Sequence, residues 1–192
     1  MFMIQLMKFG YRFLFLFLVW YKITMMWTRK KDVEVNMYGD LKDIPKAFNF
    51  GKLYRPDVFF GTKSDHLTHP SALQDRLNKG GKFGDCDDHA IYWCVTLLKS
   101  GLARKTWFAL YHMTDEKTGK ISGHAVCIFT DKDNILHWAD YGKPKPIRKI
   151  KDFMYQSSKN YGKIPFVGAI IKIDGIKRDD TPEFGKITRL QP

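Results

Sequence analysis

The chain has 192 residues, 44% of them hydrophobic and 15% aromatic, which excludes a disordered segment and leaves room for one domain with a substantial core. Its formal charge of +12 favours an anionic partner, but no arginine-rich block, recognition-helix signature or paired-cysteine zinc pattern is present, so no specific nucleic-acid reader is expected. Three cysteines, at 86, 94 and 127, are an odd count without scaffold spacing, which argues against a disulfide framework and leaves at least one free thiol.

Residues 1–31 differ from the rest and read as an appendage to a domain spanning 32–192. An uninterrupted apolar run extends only from Phe13 to Tyr21, between Arg12 and Lys22, and is too short for the roughly 20 residues a bilayer span requires. Membrane contact through residues 13–27 needs Lys22 to snorkel, with Arg29, Lys30 and Lys31 flanking the span. The segment reads as an anchor, as the apolar region of a signal lacking a small-residue cleavage site, or as a helix packed on the domain or a partner. Location is accordingly expected to be cytoplasmic or membrane-associated.

Residues 32–70 are rich in Pro, Gly, Asp and Asn, with short apolar pieces at Leu53-Tyr54 and Val58-Phe59-Phe60, and predict irregular structure with one short helix. Pro70-Ser71 opens a helix over SALQDRLNK that Gly80-Gly81 closes, and the chain then enters GKFGDCDDHA. From Cys86 to Ser100 the spacing is helical: Ala90, Cys94, Leu97 and Leu98 share a face, Asp85 is placed to cap the start, and Gly101 supplies the stop. Three strand-like runs follow, Thr106 to Met113, Ile121 to Thr130 and Ile135 to Tyr141, separated by DEKTGK and DKDN. An amphipathic helix around Ile147 to Ser158, a strand from Phe166 to Ile173 and a polar tail complete an α+β chain, a helix followed by an antiparallel meander.

A nucleophilic thiol needs a setting that favours the thiolate, a base within reach and a group that fixes the base. Cys86 lies in the first turn of a helix, where unpaired backbone N–H groups and the positive dipole end favour a thiolate. Cys94 and Cys127 fall in apolar stretches, the usual setting of buried, inert cysteines. If Asp131, Lys132 and Asp133 form a three-residue hairpin loop, Thr130 pairs with Asn134 and His124 falls opposite Asp140, on the same sheet face. A two-residue loop would turn Asp140 to the other face. His66 and His69 lie in the irregular wrap, His89 within the cysteine helix, and His112 without a carboxylate in register. His137, three residues from Asp140, should point to the opposite face.

These motifs, GDCDDHA, GHAVCIF and HWADYG in the order Cys86, His124, Asp140, resemble the transglutaminase-like cysteine peptidase superfamily, above all its bacterial and phage-type members. The resemblance covers about Pro70 to Tyr141. It implies a papain-like core, the nucleophile at the N-terminus of a helix packed on an antiparallel sheet. It also implies a protein or peptide substrate that is cleaved through a thioester on Cys86, with His124 moving the proton and Asp140 orienting it. The oxyanion would be held by the Cys86 backbone N–H and a donor from the preceding segment, with Gln74 and Asn78 as candidates. The adhesin-cleaving relatives carry acidic residues at a calcium site beside the cysteine, which Asp85 and Asp87 resemble, although no cofactor is required by the triad itself.

Read from charge alone, Asp85, Asp87 and Asp88 oppose a thiolate at Cys86, so either a cation offsets them or they act as caps complementing the helix dipole. The cap reading is preferred here, because calcium takes six to eight oxygens. Two further readings share the residues: an amide-forming acyl transferase on the same site, and a non-catalytic binding or structural protein retaining the fold. Zinc is disfavoured, since Cys86, His89, Cys94 and Cys127 lack paired ligand spacing.

Overall fold

The computed structural model describes residues 11–47 and 66–191. The apolar pieces expected at 53–54 and 58–60 lie outside the described residues. Among the described residues the elements follow in chain order: α1 (Tyr11–Thr28), α2 (Ile44–Ala47), α3 (Pro70–Asn78), α4 (Cys86–Lys99), β1 (Ala103–Thr114), β2 (Ile121–Asp131), β3 (Leu136–Ala139), β4 (Lys145–Pro146), α5 (Asp152–Asn160), β5 (Ile164–Ile176) and β6 (Pro182–Leu190). All six strands form one antiparallel sheet in the order β4-β3-β2-β1-β5-β6. The mixed α+β class and the helix lying on an antiparallel sheet are as expected from the sequence.

The sheet separates two cores. On one face Phe108, Leu110, Ala125, Cys127, Phe129 and Ile171 pack with Ala90, Ile91, Cys94 and Leu97 of α4. On the other, Ala109, Tyr111, Val126, Ile128 and Trp138 meet Phe153 and Met154 of α5. Strand β1 is covered on both faces, which is why its interior is an apolar run and not an alternating one.

Helix α4 was expected to be one-sided, yet every residue from Asp87 to Leu97 is buried. The reason is α1. Leu18, Tyr21 and Met25 belong to the same core as α4, and Thr24 Oγ1 joins the backbone of Leu67, donating to its carbonyl at 3.2 Å. Of the readings open for the N-terminal segment, packing on the domain is what residues 18–28 do. No helix among the described residues is long and apolar enough to cross a membrane.

The β2–β3 hairpin differs from the expected register. Its three-residue loop is Lys132-Asp133-Asn134, one residue later than expected, with Asp131 joined to Ile135 and Thr130 opposite Leu136. Asn134 takes a positive φ of 63°, the left-handed residue that closes such loops and that Asn tolerates better than most. The stretch read only as a polar tail supplies the edge strand β6.

Candidate active site

Strand β3 ends at Ala139 opposite Cys127, so residues 121–126 of β2 pair only with β1. The chain leaving β3 turns across this gap through Asp140, Tyr141 and Gly142. The turn is tight: the Gly142 N–H donates to the Asp140 carbonyl at 2.6 Å, and Tyr141 is held at φ 53°. A bulky residue in that region is uncommon and costs of the order of 1–3 kcal/mol, which the surroundings must enforce.

His124 and Asp140 meet across the gap. His124 Nε2 lies 2.8 Å from Asp140 Oδ1, both side chains are nearly buried, and they are diagonal and not directly opposed. Because the hairpin loop still has three residues, its later position moves the register by two and leaves both groups on the expected face. The carboxylate is anchored from α5: Ser157 Oγ donates to Asp140 Oδ2 at 3.1 Å, and Tyr111 donates to Ser157 Oγ at 2.6 Å. Tyr161 places its hydroxyl 3.3 Å from the same His124 nitrogen. Neither Ser157 nor Tyr111 nor Tyr161 carried any sequence signal beyond ordinary core and loop positions, whereas Tyr141 lies within HWADYG.

Tyr141 joins this group to the cysteine helix. Its ring is 4.9 Å from His89 of α4 and 5.6 Å from His124 of β2. Burial raises its pKa, and the acidic groups of Cys86, Tyr161, Asp140 and Asp85 around it raise it further, so the phenol remains a neutral O–H. His89 is pushed down to about 3, chiefly by burial and against the pull of Asp140. Cys86, three residues earlier, opens α4 and is partly exposed, whereas Cys94 and Cys127 are buried with their sulfurs 3.2 Å apart. Burial and Cys94 push the Cys127 thiol well up.

The acidic cluster corrects the capping expectation. Asp85 stands at the N-cap position, but its side chain makes no capping hydrogen bond. The Asp87 carboxylate instead accepts from Tyr21 Oη at 2.7 Å and from the Asp88 N–H at 3.1 Å. Asp88 accepts from the Thr68 N–H at 2.7 Å and lies 3.8 Å from the Arg76 guanidinium. Two of the three aspartates therefore clasp α1, the 66–69 segment and α3 to the start of α4. Gly84 is part of the clasp, because a Cβ there would fall inside the Asp88 carboxylate.

Donor atoms of Asp85, Cys86 and Asp87 lie within 4.8 Å of one another. This set does not fit calcium: one donor is a soft thiol, and the Asp87 oxygens are engaged by Tyr21 and a backbone N–H. Gln74 is not placed as an oxyanion donor either. It is buried, its Nε2 donates to Asn78 Oδ1 at 2.8 Å, and its carbonyl oxygen accepts from the Asn36 N–H and the Tyr92 hydroxyl.

The remaining histidines hold structure. His137 stacks on Phe129 and bonds Asp131 at 2.7 Å, and Asp131 in turn accepts from the loop N–H groups of Asp133 and Ile135. His69 caps α3 through Ser71 and reaches Thr181. His66 is buried in the segment before α3, and His112 faces Phe166 across β1 and β5. No protein-family model matches the chain, and comparison with curated proteins finds no match.

Proposed function

We propose that the chain is a thiol hydrolase with a papain-like core that cleaves a peptide or amide bond through Cys86, His124 and Asp140. The observation that carries this reading is the buried His124–Asp140 pair, braced by Ser157 and Tyr111. With Nε2–H donated to the carboxylate, the imidazole lone pair resides on Nδ1, the nitrogen that takes a proton from a thiol. A partly exposed cysteine at the start of a buried helix supplies the nucleophile.

In this mechanism the Cys86 sulfur adds to the substrate carbonyl as its proton passes to His124 Nδ1, giving a tetrahedral oxyanion. Collapse expels the amine, which leaves with the proton from His124, and the acyl group remains as a thioester. Water, deprotonated by the same imidazole, then attacks the thioester and releases the acid and the thiol. Asp140 orients the imidazole and fixes its tautomer. The first oxyanion donor is the Cys86 backbone N–H at the helix start. Tyr141, a neutral O–H carried on a turn against His89 and His124, is a better second donor than Gln74 or Asn78.

Cleavage of a peptide library by the wild-type chain, by Cys86→Ala and by His124→Ala tests the proposal. Activity that survives in either variant overturns it. An added amine appearing in the products would instead assign acyl transfer to the same residues.

A further inference from the structure

Helix α1 has two apolar faces. Leu18, Tyr21 and Met25 point into the core, whereas Leu16, Val19, Ile23, Met26 and Trp27 are exposed, Leu16 at 56%, Met26 at 73% and Trp27 at 66%. At about 100° per residue the exposed five span an arc of roughly 100°, centred opposite the buried three. Between Leu16 and Trp27 the only charged residue is Lys22, which falls at the margin of that arc. A helix belonging only to a domain has no need of this second stripe, since exposed positions are ordinarily polar.

What surrounds the stripe is cationic. Lys22 is exposed on its flank, and Lys30 and Lys31 follow shortly after the helix, both exposed, whereas Arg29 before them pairs with Asp179 at 2.9 Å. The chain as a whole carries +12, so two copies meeting through this face would bring like charges together, whereas an anionic surface would be attracted. No helix of the described residues is suited to span a bilayer, and α1 already commits its other face to the core. An apolar strip edged by lysine and arginine, with a tryptophan at its end, has the composition of a helix that lies in the plane of a membrane interface.

We propose that the outer face of α1 is a membrane-docking surface, on which Leu16, Val19, Ile23, Met26 and Trp27 enter the interface of an anionic bilayer while Lys22, Lys30 and Lys31 meet its headgroups. The domain then sits on the membrane, held by one face of the helix whose other face it packs against. This inference is independent of the chemistry at Cys86.

Co-sedimentation of the full chain with phosphatidylcholine vesicles, with and without phosphatidylglycerol, tests it. The wild-type chain is expected to bind the anionic vesicles and to bind them more weakly at high salt. Ile23→Glu combined with Trp27→Glu should weaken that binding by about tenfold or more, because a single large apolar side chain withdrawn from water is worth that much. Unchanged thermal unfolding would show that the variant is folded. Should it unfold, Met26→Ser and Lys22→Gln at exposed positions provide the same comparison, each expected to lower binding. The proposal is overturned if the wild-type chain ignores anionic vesicles, or if binding is the same in the folded variants, which would assign it to the general basic surface. It is equally overturned if light scattering finds a dimer that the double variant dissolves and vesicles do not bind, since a second copy would then own the face.

Discussion

Tyr141 combines a strained backbone with a ring wedged between His89 and His124, and the two contributions can be separated. Tyr141→Ala loses the partly buried ring and keeps the strain, and should lower stability by about 2–3 kcal/mol. Tyr141→Gly loses the ring but accepts the positive φ freely, so it should be less destabilised than the alanine variant by about 1 kcal/mol. Equal urea midpoints for the two would show that the turn stores no strain. The thiols provide a second comparison at this scale. Cys94 and Cys127 are fully buried against one another, so alkylation of the folded protein near neutral pH followed by peptide mapping should label Cys86 first. Preferential labelling of either buried cysteine would remove Cys86 from the proposed role. The meeting of His124 with Asp140 was legible because each stands in a local pattern, a strand beside a turn. Ser157 and Tyr111 were not, because only packing of α5 on the sheet brings a helix serine and a β1 tyrosine to the aspartate.

At the scale of elements the start of α4 depends on α1. Tyr21 donates to the buried Asp87 carboxylate, and a hydrogen bond to a charged group contributes about 1.5–3 kcal/mol. Tyr21→Phe should therefore lower stability by about that amount while leaving the apolar contacts of the ring in place. A chain beginning at Asp32, which the sequence recommended as a separable domain, would strip Leu18, Tyr21 and Met25 from the core and should lose cooperative unfolding. A sharp, unshifted melt of that truncation would show α1 to be dispensable after all. The sequence concealed this dependence because α1 lacks a polar face from which a buried side could be read. Elsewhere the hairpin teaches the reverse. The number of loop residues fixed which face His124 and Asp140 share, although the loop's position was off by one, and the missed signal was the left-handed tolerance of Asn134. Strand β6 was hidden for another reason: it lies at the sheet edge, and much of its length faces solvent, so no apolar alternation marks it.

For the whole molecule, acid is the condition under which the fold should fail first, because two histidines are buried in the neutral form. Burial is the main cause at both. It carries His69 down to about 4 against the attraction of Asp179 and Asp180, with Arg29 adding to the fall, and carries His89 down to about 3 against Asp140 and the Gly84 backbone, with His124 adding to it. An unfolded histidine titrates near 6.5, so below that pH the unfolded chain binds protons that the folded chain refuses. The unfolded state then holds more protons, and stability falls as pH drops from about 6.5 toward 4. Asp131 and Asp179, whose pKa values are lowered in the fold, withdraw their contribution only as pH falls below about 4, so the two processes are separable. Urea unfolding between pH 7.5 and 4.5 should record a loss on the order of a few kcal/mol. Replacing His89 or His69 by Asn should flatten the slope in that window, whatever it does to stability at pH 7.5. The two positions should also differ in what they release: His69 ties the start of α3 to Thr181 at the turn before β6, whereas His89 packs the cysteine helix against Phe83 and Tyr141. A slope unchanged in both variants would mean that neither ring is kept neutral by the fold.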